Sequence, residues 1–171
     1  MRDLPFRFAF RKLWAAHVRR TRNYLYSVLT GRPARDLEAL ASSLLRNQDD
    51  IGNALKPMVG EAAGGKVATL LRDHINIAVR LLVALKAGDQ AALGKETSAW
   101  YANAGEIATY LATLRPAWKR DTISPMLNKH LKLTIEEAVA AKKGDWIGFA
   151  EAYRRGFQHM LNFADLLSTE D

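Results

Sequence analysis

Three histidines recur on one spacing. His17, His74 and His130 stand 57 and 56 residues apart, closing the runs Leu13-Trp14-x-x-His17, Leu70-Leu71-x-x-His74 and Met126-Leu127-x-x-His130. A glycine follows each by fourteen residues: Gly31, Gly88 and Gly144. Another 15 or 16 residues on comes a second polar group: Asn47 with Asp50, Asn103 with Glu106, His159 with Asn162. Every histidine of the chain belongs to this set. Imidazoles serve as ligands for Zn, Fe or Ni, and added carboxylates suit Fe and Mn. The candidate metal ligands are therefore His17, Asp50, His74, Glu106, His130 and His159. Asn47, Asn103 and Asn162 supply amides to the same layer, which fits a small organic ligand as an alternative to a metal ion. Glu137 falls two turns after His130 on the same face, where a carboxylate can orient a ligand.

A second outcome fits the same residues. Polar side chains at one level can satisfy one another and the neighbouring backbone, fixing helix register without any ligand. Thr21 and Thr134, each four residues after a histidine, are expected to bond back to their own helix.

Established catalytic patterns are missing. The chain has no Glu-x-x-His pair, no His-Glu-x-x-His, no Ser-centred elbow and no phosphate-binding Gly-x-x-x-x-Gly-Lys-Ser/Thr loop. It has no cysteine, which removes thiolate metal sites, iron–sulfur clusters and cysteine nucleophiles. An acid and base can be drawn from His74 and Glu106, but spacing does not assign them, so the pattern leans away from an enzyme without deciding it.

The elements that must position these groups are helices. Val67, Leu70, Leu71, His74, Ile77, Ala78, Leu81 and Leu85 follow the i, i+3, i+4, i+7 rule, and no segment alternates as a strand does. Turn signals divide the chain into six helices. The first runs from about Pro5 to Thr30. The second starts near Pro33 and stops before Pro57. The third covers about Glu61 to Ala87, and the fourth ends near Leu114. The fifth begins at Ser124-Pro125, and the sixth reaches about Ser168. Gly88-Asp89 and Gly144-Asp145 read as matching corners, a left-handed glycine followed by an aspartate cap. Each histidine then stands roughly 21 Å before its corner, and each returning polar group roughly 22–24 Å after it, at 1.5 Å per residue. The expected fold is all-α: an up-down six-helix bundle of three repeated helical hairpins in one domain, with repeats near 5–56, 61–114 and 119–168. A four-helix core with two flanking helices is the other arrangement.

The 171 residues suffice for a core without staples. The net charge of +7 is uneven: Arg2, Arg7, Arg11, Lys12, Arg19, Arg20, Arg22, Arg32 and Arg35 crowd the first 35 residues against Asp3 alone. Such a helix can meet an acidic partner, nucleic acid or an anionic membrane surface; it can equally be a solvated face. No apolar run approaches the roughly 20 residues of a membrane span. The opening ten residues lack the apolar stretch of a signal peptide, so a cytoplasmic protein is expected.

Several strings resemble an uncharacterised family of small bacterial helical proteins. They are Leu45-Arg46-Asn47-Gln48-Asp49-Asp50-Ile51-Gly52-Asn53-Ala54-Leu55-Lys56-Pro57, Trp100-Tyr101-Ala102-Asn103-Ala104-Gly105-Glu106-Ile107-Ala108, the Leu13 start and the run at Met126. Such proteins carry glycosyltransferase or acetylglutamate kinase names. Either activity implies an α/β fold, which the helical pattern does not match. The resemblance implies a helical bundle and no particular chemistry.

Overall fold

Three glycines in the left-handed region set the corners of the molecule. Gly31, Gly88 and Gly144 have φ of 81°, 76° and 72°, a conformation that costs a side chain energy but not glycine. Each closes a helix with the same pair of bonds. Gly88 N–H donates to the Leu85 carbonyl and Asp89 N–H to Ala84, at 3.2 and 3.1 Å. Gly144 with Ala141 and Asp145 with Ala140 repeat the pattern, as do Gly31 with Val28 and Arg32 with Ser27. These bonds satisfy carbonyls that a helix end leaves without partners. At two corners the next residue then opens a helix: Asp89 accepts from Ala92 N–H and Asp145 from Gly148 N–H.

The computed structural model describes residues 3–169; Met1, Arg2, Glu170, Asp171 and the side chain of Asp3 lie outside them. The helices are α1 (Asp3–Leu29), α2 (Ala34–Val59), α3 (Glu61–Ala87), α4 (Gln90–Leu114), α5 (Arg120–Lys143) and α6 (Trp146–Leu167). No strand occurs among the described residues. Each helix packs on the next, and α6 packs back on α1, closing a ring. Within it α1, α3 and α5 also touch one another. The helices that carry the spaced histidines thus form the inner trio, rather than a four-helix core with two flanking helices.

Two helix limits differ from the sequence expectation. α2 continues through Pro57 to Val59, and α5 starts at Arg120, with Pro125 inside it. A proline in a helix loses the bond to the carbonyl four residues earlier. Those carbonyls belong to Asn53 and Asp121, both on exposed faces, where water can replace the bond. Ile123, fully buried, extends the apolar stripe of α5 back past the proline.

The ring is filled by two apolar clusters. The larger joins Phe10, Trp14, Ile51, Leu71, Trp100, Ile107, Leu131 and Phe163; the smaller, toward the glycine corners, joins Tyr24, Leu25, Val28, Leu82, Leu85 and Phe149. Trp14 meets Phe163 edge-on at 5.2 Å, which seats α1 on α6. The histidine layer lies where the first cluster gives way to the second.

Candidate functional site

At that level the three spaced histidines converge. His17 and His130 rings lie 5.4 Å apart and His74 and His130 rings 6.1 Å apart, centroid to centroid. All three are buried, at 2, 3 and 5% exposure. Each sits inside the apolar stripe of an inner helix, so the stripe turns it toward the axis.

The surrounding bonds recur from hairpin to hairpin. On each returning helix one side chain donates to the carbonyl four residues before the histidine. Asn47 Nδ2 donates to Leu13 O (3.1 Å), Asn103 Nδ2 to Leu70 O (3.2 Å) and His159 Nε2 to Met126 O (2.7 Å). The carbonyl of each histidine accepts a second bond as well. Thr21 and Thr134 hydroxyls donate to their own helix at His17 and His130, at 2.8 and 2.9 Å. In the middle hairpin Ala78 stands where the threonine would be, and Trp100 Nε1 of α4 donates to His74 O instead, at 3.0 Å. Side chains of five helices, with the backbone of α3, are thereby bonded at one height.

Neighbours fix the tautomers. Asn103 Nδ2 is committed to Leu70 O, so Oδ1 faces His74 and accepts from His74 Nδ1–H at 2.8 Å. Gln48 Nε2 donates to Leu44 O at 2.9 Å and lies 3.2 Å from His17 Nδ1, which accepts. His17 then carries its proton on Nε2 and donates to His130 Nε2 at 3.4 Å. Burial pushes the pKa of His17 down to about 3 and that of His74 down to about 4. The same cause, with the neighbouring imidazoles, holds His130 well below the usual range. The trio is neutral at pH 7.

The carboxylates lie elsewhere. Asp50, Glu106 and Asn162 are exposed, against the expectation that each shares the inward face of the residue three before it. The reason is angular. Three residues advance roughly 300°, about 60° short of a turn, and the shortfall falls on the solvent side. The inward positions are instead one and four residues on: Gln48 and Ile51, Ala104 and Ile107, Met160 and Phe163, all buried. Asn162 Oδ1 accepts from Gln158 Nε2 at the surface. Glu137 is buried, and burial pushes its carboxyl up to about 8 against the pull of Arg22. Its Oε1 has no partner among the described residues.

Gln48, fully buried, is the layer's member that spacing alone missed. Its signal was its place on the stripe of Leu44, Ile51 and Leu55. Among the described residues no three His, Asp or Glu side chains are grouped to hold a metal ion. A hollow of about 20 Å³ borders His17, His74, His130 and Trp100; that volume suits a water molecule or one ion rather than an organic molecule.

The other polar concentration is on the surface. The first helix sorts its arginines by task. Arg7 and Arg11 pair with Asp165 of α6, and Arg20 donates to the Ser43 carbonyl of α2 at 3.0 Å. Arg19 and Arg22 face a groove between α1 and α6. The Arg22 guanidinium lies 4.2 Å from the Tyr153 ring centre and 4.7 Å from that of Phe149.

Comparison with protein-family models, curated proteins and solved structures found no match. No helix is long and apolar enough to cross a membrane, among the described residues.

Proposed function

We propose that this protein is a non-catalytic interaction module. Its basic first helix, with α6 beside it, engages an acidic partner, while the polar layer holds the helices in register. The observation that carries this reading is the pair Arg19 and Arg22. Among the described residues neither forms an ion pair with a carboxylate. Arg22 is nonetheless held in place over two rings, so little side-chain freedom is lost when an anion arrives. The recurring bonds account for most of the layer without a ligand; the exception among its members is Gln48 Oε1, buried with no partner among the described residues. The recurrence of these bonds also supports taking the three hairpins as copies of one unit.

Titration calorimetry with long-chain polyphosphate tests this reading. Binding should weaken steeply with salt, as counterion release requires. The double variant Arg19→Glu, Arg22→Glu should abolish it. Lys66→Glu, Lys95→Glu changes net charge equally on other helices and should have a much smaller effect. Undetectable binding, or equal loss in both variants, overturns the proposal.

One distance favours a second reading, in which the imidazoles take a metal. His17 Nε2 and His130 Nε2 are 3.4 Å apart, which matches the edge of a tetrahedron with bonds of about 2.0–2.1 Å. Against it, a dication there finds no carboxylate to offset its burial. Elemental analysis of tag-free protein for Fe, Zn, Mn and Ni decides the matter. Substoichiometric metal, with no thermal shift on adding each ion, removes this reading.

A further inference from the structure

We infer that the α1–α6 groove binds single-stranded nucleic acid, with phosphates on Arg19 and Arg22 and a base against Tyr26 and Trp146. The inference rests on the acidic-partner reading above and names the partner.

Two helical spacings build the groove. On α1, Arg19, Arg22, Asn23 and Tyr26 follow i, i+3, i+4, i+7 and share a face. On α6, Trp146, Phe149 and Tyr153 do the same. The helices lie side by side, so a cationic row runs along an aromatic row. The space between them is about 380 Å³, lined by Arg19, Arg22, Asn23, Tyr26, Phe149 and Tyr153. That is within the range of small-molecule clefts.

The chemistry of the lining selects the ligand. A guanidinium stacked on rings keeps its N–H edge free, and that edge matches phosphate oxygens in pairs. Tyr26 and Trp146 rings lie 5.9 Å apart and are 40 and 50% exposed, so ring surface remains open. Arginine beside open aromatic rings is the combination that holds a strand by its backbone and its unstacked bases. A duplex keeps its base faces to itself and can use only the arginines. A bilayer offers phosphates too and takes Trp and Tyr rings at its headgroup level, but Tyr26, Phe149 and Tyr153 line a cleft between two helices rather than a protruding face. The residue to read for that outcome is Ile147, 76% exposed beside Trp146.

The protein carries its own reporter. Trp14, Trp100 and Trp118 are 3, 2 and 0% exposed, whereas Trp146 is half-exposed. We would titrate the full chain with a labelled oligothymidylate of about 12 nucleotides, following label anisotropy and tryptophan fluorescence together. The expected result is quenching at Trp146 and salt-dependent binding. Trp146→Ala, and separately Arg22→Ala, should each weaken binding at least about tenfold, with helical content unchanged by circular dichroism. Three results overturn the inference while leaving the acidic-partner reading in place. They are equal affinity for duplex of the same length, affinity unchanged in Trp146→Ala, and preferential binding to phosphatidylglycerol-containing vesicles that Ile147→Ser removes. Failure to bind oligothymidylate, polyphosphate and vesicles alike overturns both.

Discussion

The inner imidazoles are neutral because water is kept from them, and that couples folding to pH. An unfolded chain takes up protons on His17, His74 and His130 below about pH 6.5, whereas the folded protein resists until far lower, about 3 for His17 and about 4 for His74. Unfolding therefore absorbs protons in that window, and stability falls as pH falls, by up to about 1.4 kcal/mol per unit for each group. Glu137 acts oppositely. Its folded pKa of about 8 lies above the ordinary 4.5, so the folded protein holds a proton that the unfolded chain releases. Its contribution is present below about 4.5 and is lost as pH rises toward 8. Denaturant titrations across pH should give maximal stability near pH 6.5, a steep acid limb and a shallow alkaline one. Glu137→Gln should flatten the alkaline limb and leave the acid limb in place. A flat acid limb would mean that the histidines are not buried.

At this scale the sequence was legible where one stripe decided the outcome. His17, His74 and His130 sit among apolar residues at helical spacing and turn inward with them. Asp50, Glu106 and Asn162 depended on a finer angle, whether three residues on is still the same face. On a helix whose buried side is centred past Asn47, Asn103 and His159, it is not. The bond between Trp100 and His74 O needed a third dimension: it joins two helices and replaces a hydroxyl that the middle hairpin lacks.

Among the elements, α2 and α3 approach closely at their glycines. A Cβ on Gly52 would lie 2.6 Å from both the Ala68 Cβ and the Gly64 carbonyl oxygen. One of those obstacles is backbone, so Gly52→Ala must push the helices apart, at a cost of about 1–3 kcal/mol. Gly105, with nothing within 4 Å of the added atom, offers the contrast. Gly105→Ala should stabilise by up to about 1 kcal/mol through helix propensity. Thermal denaturation of the two variants checks both signs. The glycines at the corners were legible because each ends a periodic run and two precede a capping aspartate. Gly52 was not, because a glycine inside a helix looks the same in sequence whether it faces a neighbour or water. Pro57 and Pro125 misled for a related reason: a proline reads as a boundary unless the freed carbonyl is known to meet solvent.

For the whole molecule, ring closure brings six amphipathic helices around one axis and leaves three of the four tryptophans inside. Of four tryptophans, Trp146 alone is open to solvent. Acrylamide should therefore quench about a quarter of the emission efficiently, and Trp146→Phe should abolish that fraction; quenching of the remainder would show that the core admits small solutes. The ring closes where Arg7 and Arg11 of α1 grip Asp165 of α6, so the two ends of the described chain lie beside each other. The order of helices around the ring is then independent of where the chain is cut. A circular permutant that joins those ends by a short linker and opens at Gly60, a positive-φ glycine between α2 and α3 with free space around it, should fold with the same inner trio. Its acid limb should match that of the parent protein.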